Sequence, residues 1–378
     1  MAERGGGPQV IVVGAGPVGT LLAAELARRD VEVALLEQRT VPGEGSRAIG
    51  VHSPVLAALE ASGITERLLA SAVRVTRGEA RSDGRTLGVV RFDRLNRRFP
   101  FVAALPQAAT EQALAAGAPP ARRGTAVKHL LPEARRVRVQ VDDGELSAPL
   151  VVVAGGWRAR PLVYRRGALG VRAYADRYLM TDVAAPAEAD LAVIDIDRSG
   201  VLESFPLPGG RRRFVAWDPA PREVSSEARR DRLRRALDQR GQDAALVTTA
   251  TPFEVRRVVA PALRRDRLFV IGDTAHEVSP IGGQGMNLGL LDAATLAPLL
   301  AAWAHSGTAP DAELARWERR RIASARTAAA IATLNTSLGR GLGPAAHAVR
   351  GAGLRVALLP PGARLLAHAY SMGFDRDA

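Results

Sequence analysis

The stretch Gln9-Val10-Ile11-Val12-Val13-Gly14-Ala15-Gly16-Pro17-Val18-Gly19 decides the fold. Its first half is apolar and β-branched without polar alternation, the pattern of a parallel strand buried on both faces. Its second half is Gly-x-Gly-x-x-Gly, after which Leu21, Leu22, Ala24, Glu25 and Leu26 keep helical spacing as far as Arg29. Val31 to Leu36 reads as a second strand, closing on Glu37. Strand, glycine turn, helix and strand make one βαβ unit of about thirty residues, the dinucleotide-binding fingerprint. In such a unit Gly14 makes the tight turn, Gly16 lets backbone amides approach a pyrophosphate, and Gly19 lets helix and strand pack closely. Glu37 stands where an acid accepts hydrogen bonds from an adenosine ribose and repels a 2′-phosphate. The unit alone does not separate one dinucleotide from another.

Outward from this unit the pattern changes. Ser53 to Leu59 and Glu66 to Ala70 read as short helices, and Arg74 to Phe92 alternates about Asp83-Gly84 like a meander. Gln107 to Ala115 is helical, Thr125 to Val141 reads as two strands, and Pro149 to Ala154 is another buried strand. Tyr178 to Trp217 carries strand patterns broken by Pro206-Leu207-Pro208-Gly209-Gly210, and Ser225 to Asp238 is a charged helix. Arg267 to Ile271 is again a buried strand, and from Asn287 the chain is mostly helical with a break at Pro360-Pro361. Buried strands near both ends with meanders between them predict an α/β fold with a Rossmann-like, discontinuous dinucleotide domain. Its expected pieces are residues 1–72, 100–175 and 266–378, the last bringing C-terminal helices; residues 73–99 and 176–265 form a sheet-rich substrate domain.

Composition removes several classes of function. A chain of 378 residues with 47% hydrophobic and 24% charged residues is not disordered. It has no cysteine, so disulfides, thiolate metal sites and thiol nucleophiles are excluded. No uninterrupted apolar run reaches the ~18–20 residues of a membrane span, so no membrane insertion is expected. Met1 to Gly7 does not read as a secretory signal, and a cytoplasmic location is the expectation. The net charge of +13 comes almost wholly from arginine, Lys128 being the sole lysine. The densest runs, Arg211 to Arg213 and Arg319 to Arg321, lack the interleaved aromatics that stack on bases. They read as a solvated basic surface, and no nucleic-acid partner is expected. His129, His305, His347 and His368 are too dispersed to hold a metal.

A second motif, Gly272-Asp273-Thr274-Ala275-His276-Glu277-Val278-Ser279-Pro280-Ile281-Gly282-Gly283-Gln284-Gly285-Met286-Asn287, follows a strand and opens a helix. Here the sequence resembles the class A flavoprotein monooxygenases, the para-hydroxybenzoate hydroxylase family and its relatives acting on aromatic polyketides. The resemblance implies FAD, with Asp273 on the ribityl chain and Pro280, Gly283 and Gly285 along the isoalloxazine. Backbone amides near Gly285, Met286 and Asn287, at a helix N-terminus, suit the negative edge of a reduced flavin. Ser46 to His52 is similar to the family segment whose arginine, here Arg47, meets FAD, and Leu105-Pro106-Gln107 to the one whose glutamine touches it. Arg39 beside Glu37 joins the expected cofactor-binding set. Phe205 to Gly210 looks like the substrate-domain hairpin, and Trp317 to Arg321 like the helix after the flavin motif. The thioredoxin-like C-terminal domain of longer relatives is not expected.

His276 is read as a structural residue of this motif, whereas His52 and Pro280 are the candidates for a place beside the reaction. Tyr178, Phe205, Phe214 and Trp217 are read as core or as the lining of an aromatic pocket. The family's Ala-Asp-Gly run is here Ala154-Gly155-Gly156, and a glycine cannot accept the hydrogen bonds of the aspartate.

The implied reaction inserts one oxygen of O2 into a small aromatic substrate, phenolic or polyketide, through a flavin C4a-hydroperoxide. Segments such as Asn96 to Phe101 look like those of antibiotic-pathway hydroxylases. NADPH or NADH is the implied electron donor, and Gly155 leaves a reductase partner as the other source. Baeyer–Villiger or epoxidising chemistry, and a non-redox flavoprotein scaffold, stay open. A flavin-dependent halogenase is disfavoured, because its Trp-x-Trp-x-Ile-Pro segment is missing.

Overall fold

Val10–Val13 is buried on both faces because it lies in the interior of a sheet. It pairs in parallel with Leu150–Val153 on one side and Val33–Glu37 on the other, Val10 standing opposite both Leu150 and Val33. In this computed structural model, which describes residues 7–41, 48–165, 167–185, 190–219 and 225–375, the six-stranded sheet is completed by three further strands. Leu268–Val270 adds in parallel beyond Leu150–Val153, Arg264–Arg265 lies antiparallel outside it, and Arg122–Arg123 closes the opposite edge. Alternation then assigns the two faces. Val10 and Val12 pack under helices Pro17–Ala27 and Gly285–Ser306, while Ile11 and Val13 pack on a three-stranded antiparallel sheet through Val137 and Val139.

A second sheet of eight strands runs in the order His276–Glu277, Thr251–Val259, Arg172–Ala184, Arg211–Asp218, Gly200–Leu207, Leu191–Asp197, Arg77–Ser82, Arg85–Arg91. All its neighbours are antiparallel except Leu191–Asp197 with Arg77–Ser82. One face carries Leu179, Leu202, Phe214 and Ala216 against Leu233 and Leu237 of helix Ser226–Asp238. The other face carries Met180, Val201, Val215 and Phe253, and looks toward the first sheet. The two sheets are tied by His276–Glu277, an edge strand of the second sheet that lies inside the second glycine motif. Helices Asp311–Leu338, Pro344–Ala357 and Gly362–Tyr370 follow, as the helical reading of the C-terminal part expects.

One sequence reading needs correction. The arginine runs are only in part a solvated surface: Arg211, Arg319 and Arg320 are exposed, but Arg212, Arg213 and Arg321 are buried. A buried guanidinium must place its donors within the protein. Arg213 reaches both oxygens of Asp182 at 2.6 Å, and Arg212 reaches Ser204 Oγ at 2.8 Å and the Leu191 carbonyl at 3.0 Å. Helix Gly285–Ser306 is long and apolar enough to cross a membrane by length and composition alone, with 61% of its most apolar window buried. It is a core helix: its apolar side chains pack with those of Pro17–Ala27 and Asp311–Leu338, and at its centre lies Asp292, fully buried.

Candidate FAD and substrate cavity

One cavity of about 940 Å³ opens between the two sheets. Gly14, Gly16, Glu37, Arg39 and Gln107 line one end, and Asp273, Pro280, Gly283, Gly285 and Met286 line its middle. The eight-stranded sheet lines the far end with Ala192, Ile194, Val201, Glu203 and Phe205. The two glycine motifs, some 260 residues apart in sequence, therefore share one space. Val18, just past the first turn, packs against the second motif: a methyl on Gly272 would lie 3.3 Å from both of its Cγ atoms.

The first turn is shaped by backbone crowding. Gly14 has φ +107°, and a Cβ there would stand 2.7 Å from the Ala154 carbonyl oxygen, while one on Gly19 would stand 1.9 Å from the Gly14 carbonyl oxygen. A Cβ on Gly16 would meet nothing within 4 Å, because it faces the groove. Helix Pro17–Ala27 starts immediately afterwards with proline in its first turn, so its free amides and positive dipole end face an anion placed there. Glu37 braces this turn. Its carboxylate accepts from the Ala15 amide at 2.9 Å and from both the Arg39 amide and Nε at 3.0 Å. Burial pushes this acid up, but the donors prevail and hold it below the usual carboxylate range. Three of about four lone-pair positions are used, which leaves room for one more donor.

Below the second motif lies a buried charge cluster. Asp292 accepts from the Gly272 amide at 3.1 Å, meets His276 Nε2 at 2.5 Å, and accepts from Arg321 Nε at 2.8 Å. Arg321 continues to Asp375 at 2.7 Å. Burial alone would raise the Asp292 acid, yet His276 and Arg321 hold it down to about 2. His276 is thus the structural residue the sequence reading expects. Asp273 faces the cavity while its carbonyl accepts from Arg160 at 2.7 Å, and Arg160 also pairs with Glu277 at 2.9 Å.

His52 is buried at the cavity wall. Its amide donates to Asn287 Oδ1 at 2.8 Å and its Nε2 lies 3.3 Å from the Gly283 carbonyl oxygen. Desolvation lowers its pKa to about 4, against a small opposing effect of the Gly283 hydrogen bond, so the ring is neutral near pH 7. With Nε2 committed to Gly283, Nδ1 has no partner among the described residues and is shut from solvent. Asn287 does not line the cavity; its side chain donates to the Gly50 and Gly283 carbonyls at 2.8 and 3.0 Å and fixes the turn from behind. Gly19 likewise acts from behind, and Arg47 lies outside the described residues. Of the aromatic candidates, Phe205 lines the cavity, whereas Tyr178 and Phe214 are core.

A sequence profile of the FAD binding domain family matches residues 8–332. The chain belongs to this family. As a member of the FAD binding domain family its cofactor is FAD, and the residues fit that group: open backbone at Gly16, an acid at Glu37, and, among the described residues, no side chain filling the groove between the turns. Among curated relatives it is 34% identical over 323 residues to 6-methylpretetramide 4-monooxygenase of Streptomyces rimosus, covering 80% of this chain and 57% of that one. The chain thus spans a little over half the length of that relative. Among solved structures it is similar to CabE, an aromatic hydroxylase from angucycline biosynthesis, with TM-score 0.78, 27% identity, and coverage of 98% and 77%. The p-nitrophenol 4-monooxygenase PnpA from Pseudomonas putida DLL-E4 shares the fold, with TM-score 0.87, 23% identity, and coverage of 98% and 99%.

Sequence reasoning missed three features of this FAD-binding chain. The Asp292–Arg321 cluster gives no local signal, since its members come from two helices. Around Gly155 the backbone is built for glycine: a Cβ there would stand 2.7 Å from Ala159 Cβ. At the adjoining rim the half-exposed Trp157 stacks with Arg158 and Arg256, whose guanidinium carbons lie 5.0 and 4.9 Å from its ring. The third is Glu203.

Proposed function

We propose that this chain is an FAD-dependent monooxygenase, drawing electrons from NADPH or NADH and placing one atom of O2 on an aromatic substrate of the phenol or polycyclic polyketide class. The observation that carries the reading is the single cavity, with dinucleotide turns at one end and an apolar sheet face at the other. The relatives' names supply the substrate class. Bound FAD supplies the redox chemistry and the activation of O2. The protein's residues bind, orient and dry the site. Gly14, Gly16 and the start of helix Pro17–Ala27 receive the pyrophosphate; Glu37, with its remaining lone pair, faces the ribose; Asp273 and Gln107 present polar side chains to the rest of the cofactor. The amides at Gly285 and Met286 face negative charge with the dipole of a 22-residue helix behind them. His52, turned to Gly283, positions the loop, and a pKa lowered by burial makes it a weak base. The two sheets divide the work, the six-stranded one serving FAD and the eight-stranded one excluding water from the substrate.

Protein loaded with FAD is expected to oxidise NADPH or NADH faster when a hydroxylated polycyclic aromatic is added, with one labelled atom from O2 in the product. Oxidation that no aromatic stimulates, with no label in any product, would sink the reading. The closed space at Gly155 supports a second reading of the electron supply, a partner reductase. FAD that stays oxidised under anaerobic NADPH and NADH, but is reduced by dithionite, would favour it.

A further inference from the structure

The far end of the cavity holds a carboxyl group in apolar surroundings. Glu203 lies in strand Gly200–Leu207, directly opposite Ile194 on one neighbouring strand and Val215 on the other. Side chains directly opposite in an antiparallel pair lie ~5 Å apart on the same face, and those two residues along the strand share it too. Val201 and Phe205 are those neighbours, and all four, like Glu203, line the cavity. The acid thus sits at the centre of a ring made of Ile194, Val201, Phe205 and Val215. Only 5% of it is exposed, and among the described residues its carboxyl makes no hydrogen bond and no ion pair. Arg213, a cation on this sheet face, is held by Asp182.

A buried polar group without a partner is destabilising, so a fold rarely keeps one that packing does not require. Packing does not require this one, since an apolar side chain would suit its four neighbours better. We propose that Glu203 holds the aromatic substrate by a hydrogen bond to an oxygen on its ring, orienting the ring against the apolar sheet. This inference rests on the reading of the cavity's far end as the substrate site.

The ligand class follows from the protonation state. Desolvation raises Glu203 to about 8, so near neutral pH the group is a carboxylic acid that can donate. Two phenols respond to its charge, Tyr178 and Tyr370, the latter pushed up to about 12 by burial and by Glu203. Tyr370 donates to Asn335 Oδ1 at 2.8 Å. The four direct neighbours of the acid are apolar and burial keeps the Tyr178 and Tyr370 phenols protonated, which suits an uncharged hydroxy- or keto-aromatic.

The test uses FAD-loaded protein and two probes of one shape, 2-naphthol and 2-methylnaphthalene, titrated calorimetrically below the pH at which Glu203 ionises. The wild type is expected to prefer the naphthol roughly five- to tenfold, the worth of one neutral hydrogen bond. Glu203→Gln, which can still donate, keeps the preference. Glu203→Leu erases it while retaining FAD and binding the methyl probe at least as well. Raising the pH through about 8 weakens the preference in the wild type but not in Glu203→Gln. Equal binding of the two probes by the wild type, a preference that survives in Glu203→Leu, or no binding of either probe overturns the assignment. Turnover is read separately. A preference that depends on Glu203 without any aromatic-stimulated NAD(P)H oxidation would defeat the proposed function alone; the reverse pattern would defeat the role of Glu203 alone.

Discussion

Asp292 and Glu203 are both buried carboxyls, one beneath the glycine turn and the other on the cavity's sheet wall, and they are opposite in every electrostatic respect. Asp292, beneath the second glycine turn, is surrounded by the Gly272 amide, His276 and Arg321 and is held down to about 2. Glu203, on the sheet wall, has no partner among the described residues and is raised to about 8. One acid is finished by the protein; the other is left for something that arrives later. The difference teaches that burial of a charge-bearing group is not itself a sign of function. What distinguishes a working group from an architectural one is whether its hydrogen-bonding capacity is already used.

Four measurements would break or sharpen this contrast. The largest effect is expected from Asp292→Leu, which leaves the Arg321 guanidinium short of one of its two carboxylates and orphans the Gly272 amide. A loss of about 3–5 kcal/mol in stability follows, read by denaturant unfolding, with release of FAD. Stability unchanged within ~1 kcal/mol would show that the cluster is not structural. Next is Gly14→Val, which forces a branched side chain into φ +107° and against the Ala154 carbonyl. FAD affinity should fall by about 2 kcal/mol, or some thirtyfold, in a fluorescence titration.

The third concerns pH. Because the folded-state pKa of Glu203 is raised, the native protein binds more protons than the unfolded chain between about 4.5 and 8. The contribution of this group is fully present below about 4.5 and is lost as pH rises through 8. In ligand-free protein, Glu203→Gln should remove this decline, seen as a gain in Tm of the order of 5 °C for the variant relative to wild type at high pH. The smallest effect is expected from His52→Ala, which removes the ring contact to the Gly283 carbonyl and weakens FAD binding by about 1 kcal/mol. Because the His52 ring is neutral down to about 4, wild-type FAD affinity should show no His52 inflection between pH 5 and 8. An inflection that disappears in the variant would return His52 to the list of proton-transfer groups.

The two ends of the cavity also differ in how far they were legible. The glycine turns are written in consecutive residues, because a tight turn, an open groove and a helix start are local demands on the backbone. His276 was legible for the same reason, lying within its motif. Glu203 was not. In Gly200-Val201-Leu202-Glu203-Ser204-Phe205 neither alternate set reads as outward, and the reason is architectural: one face of the sheet packs on helix Ser226–Asp238 and the other faces the cavity, so both sets are buried. The arginine runs misled for a related reason. Arg213 meets Asp182 across a strand pair and Arg321 meets Asp292 across two helices, and nothing in Arg-Arg-Arg announces partners about thirty residues away.

The order of strands in the first sheet has a consequence for biosynthesis. Val10–Val13 sits between Val33–Glu37 and Leu150–Val153, and the latter is flanked in turn by Leu268–Val270. At translation speeds of ~5–20 residues per second, roughly 10–50 s pass between synthesis of the first strand and synthesis of the last. Through that interval a bare, β-branched edge, first of Val10–Val13 and then of Leu150–Val153, waits on the ribosome for a neighbour not yet made, and chaperone demand in an expression host should fall on these strands.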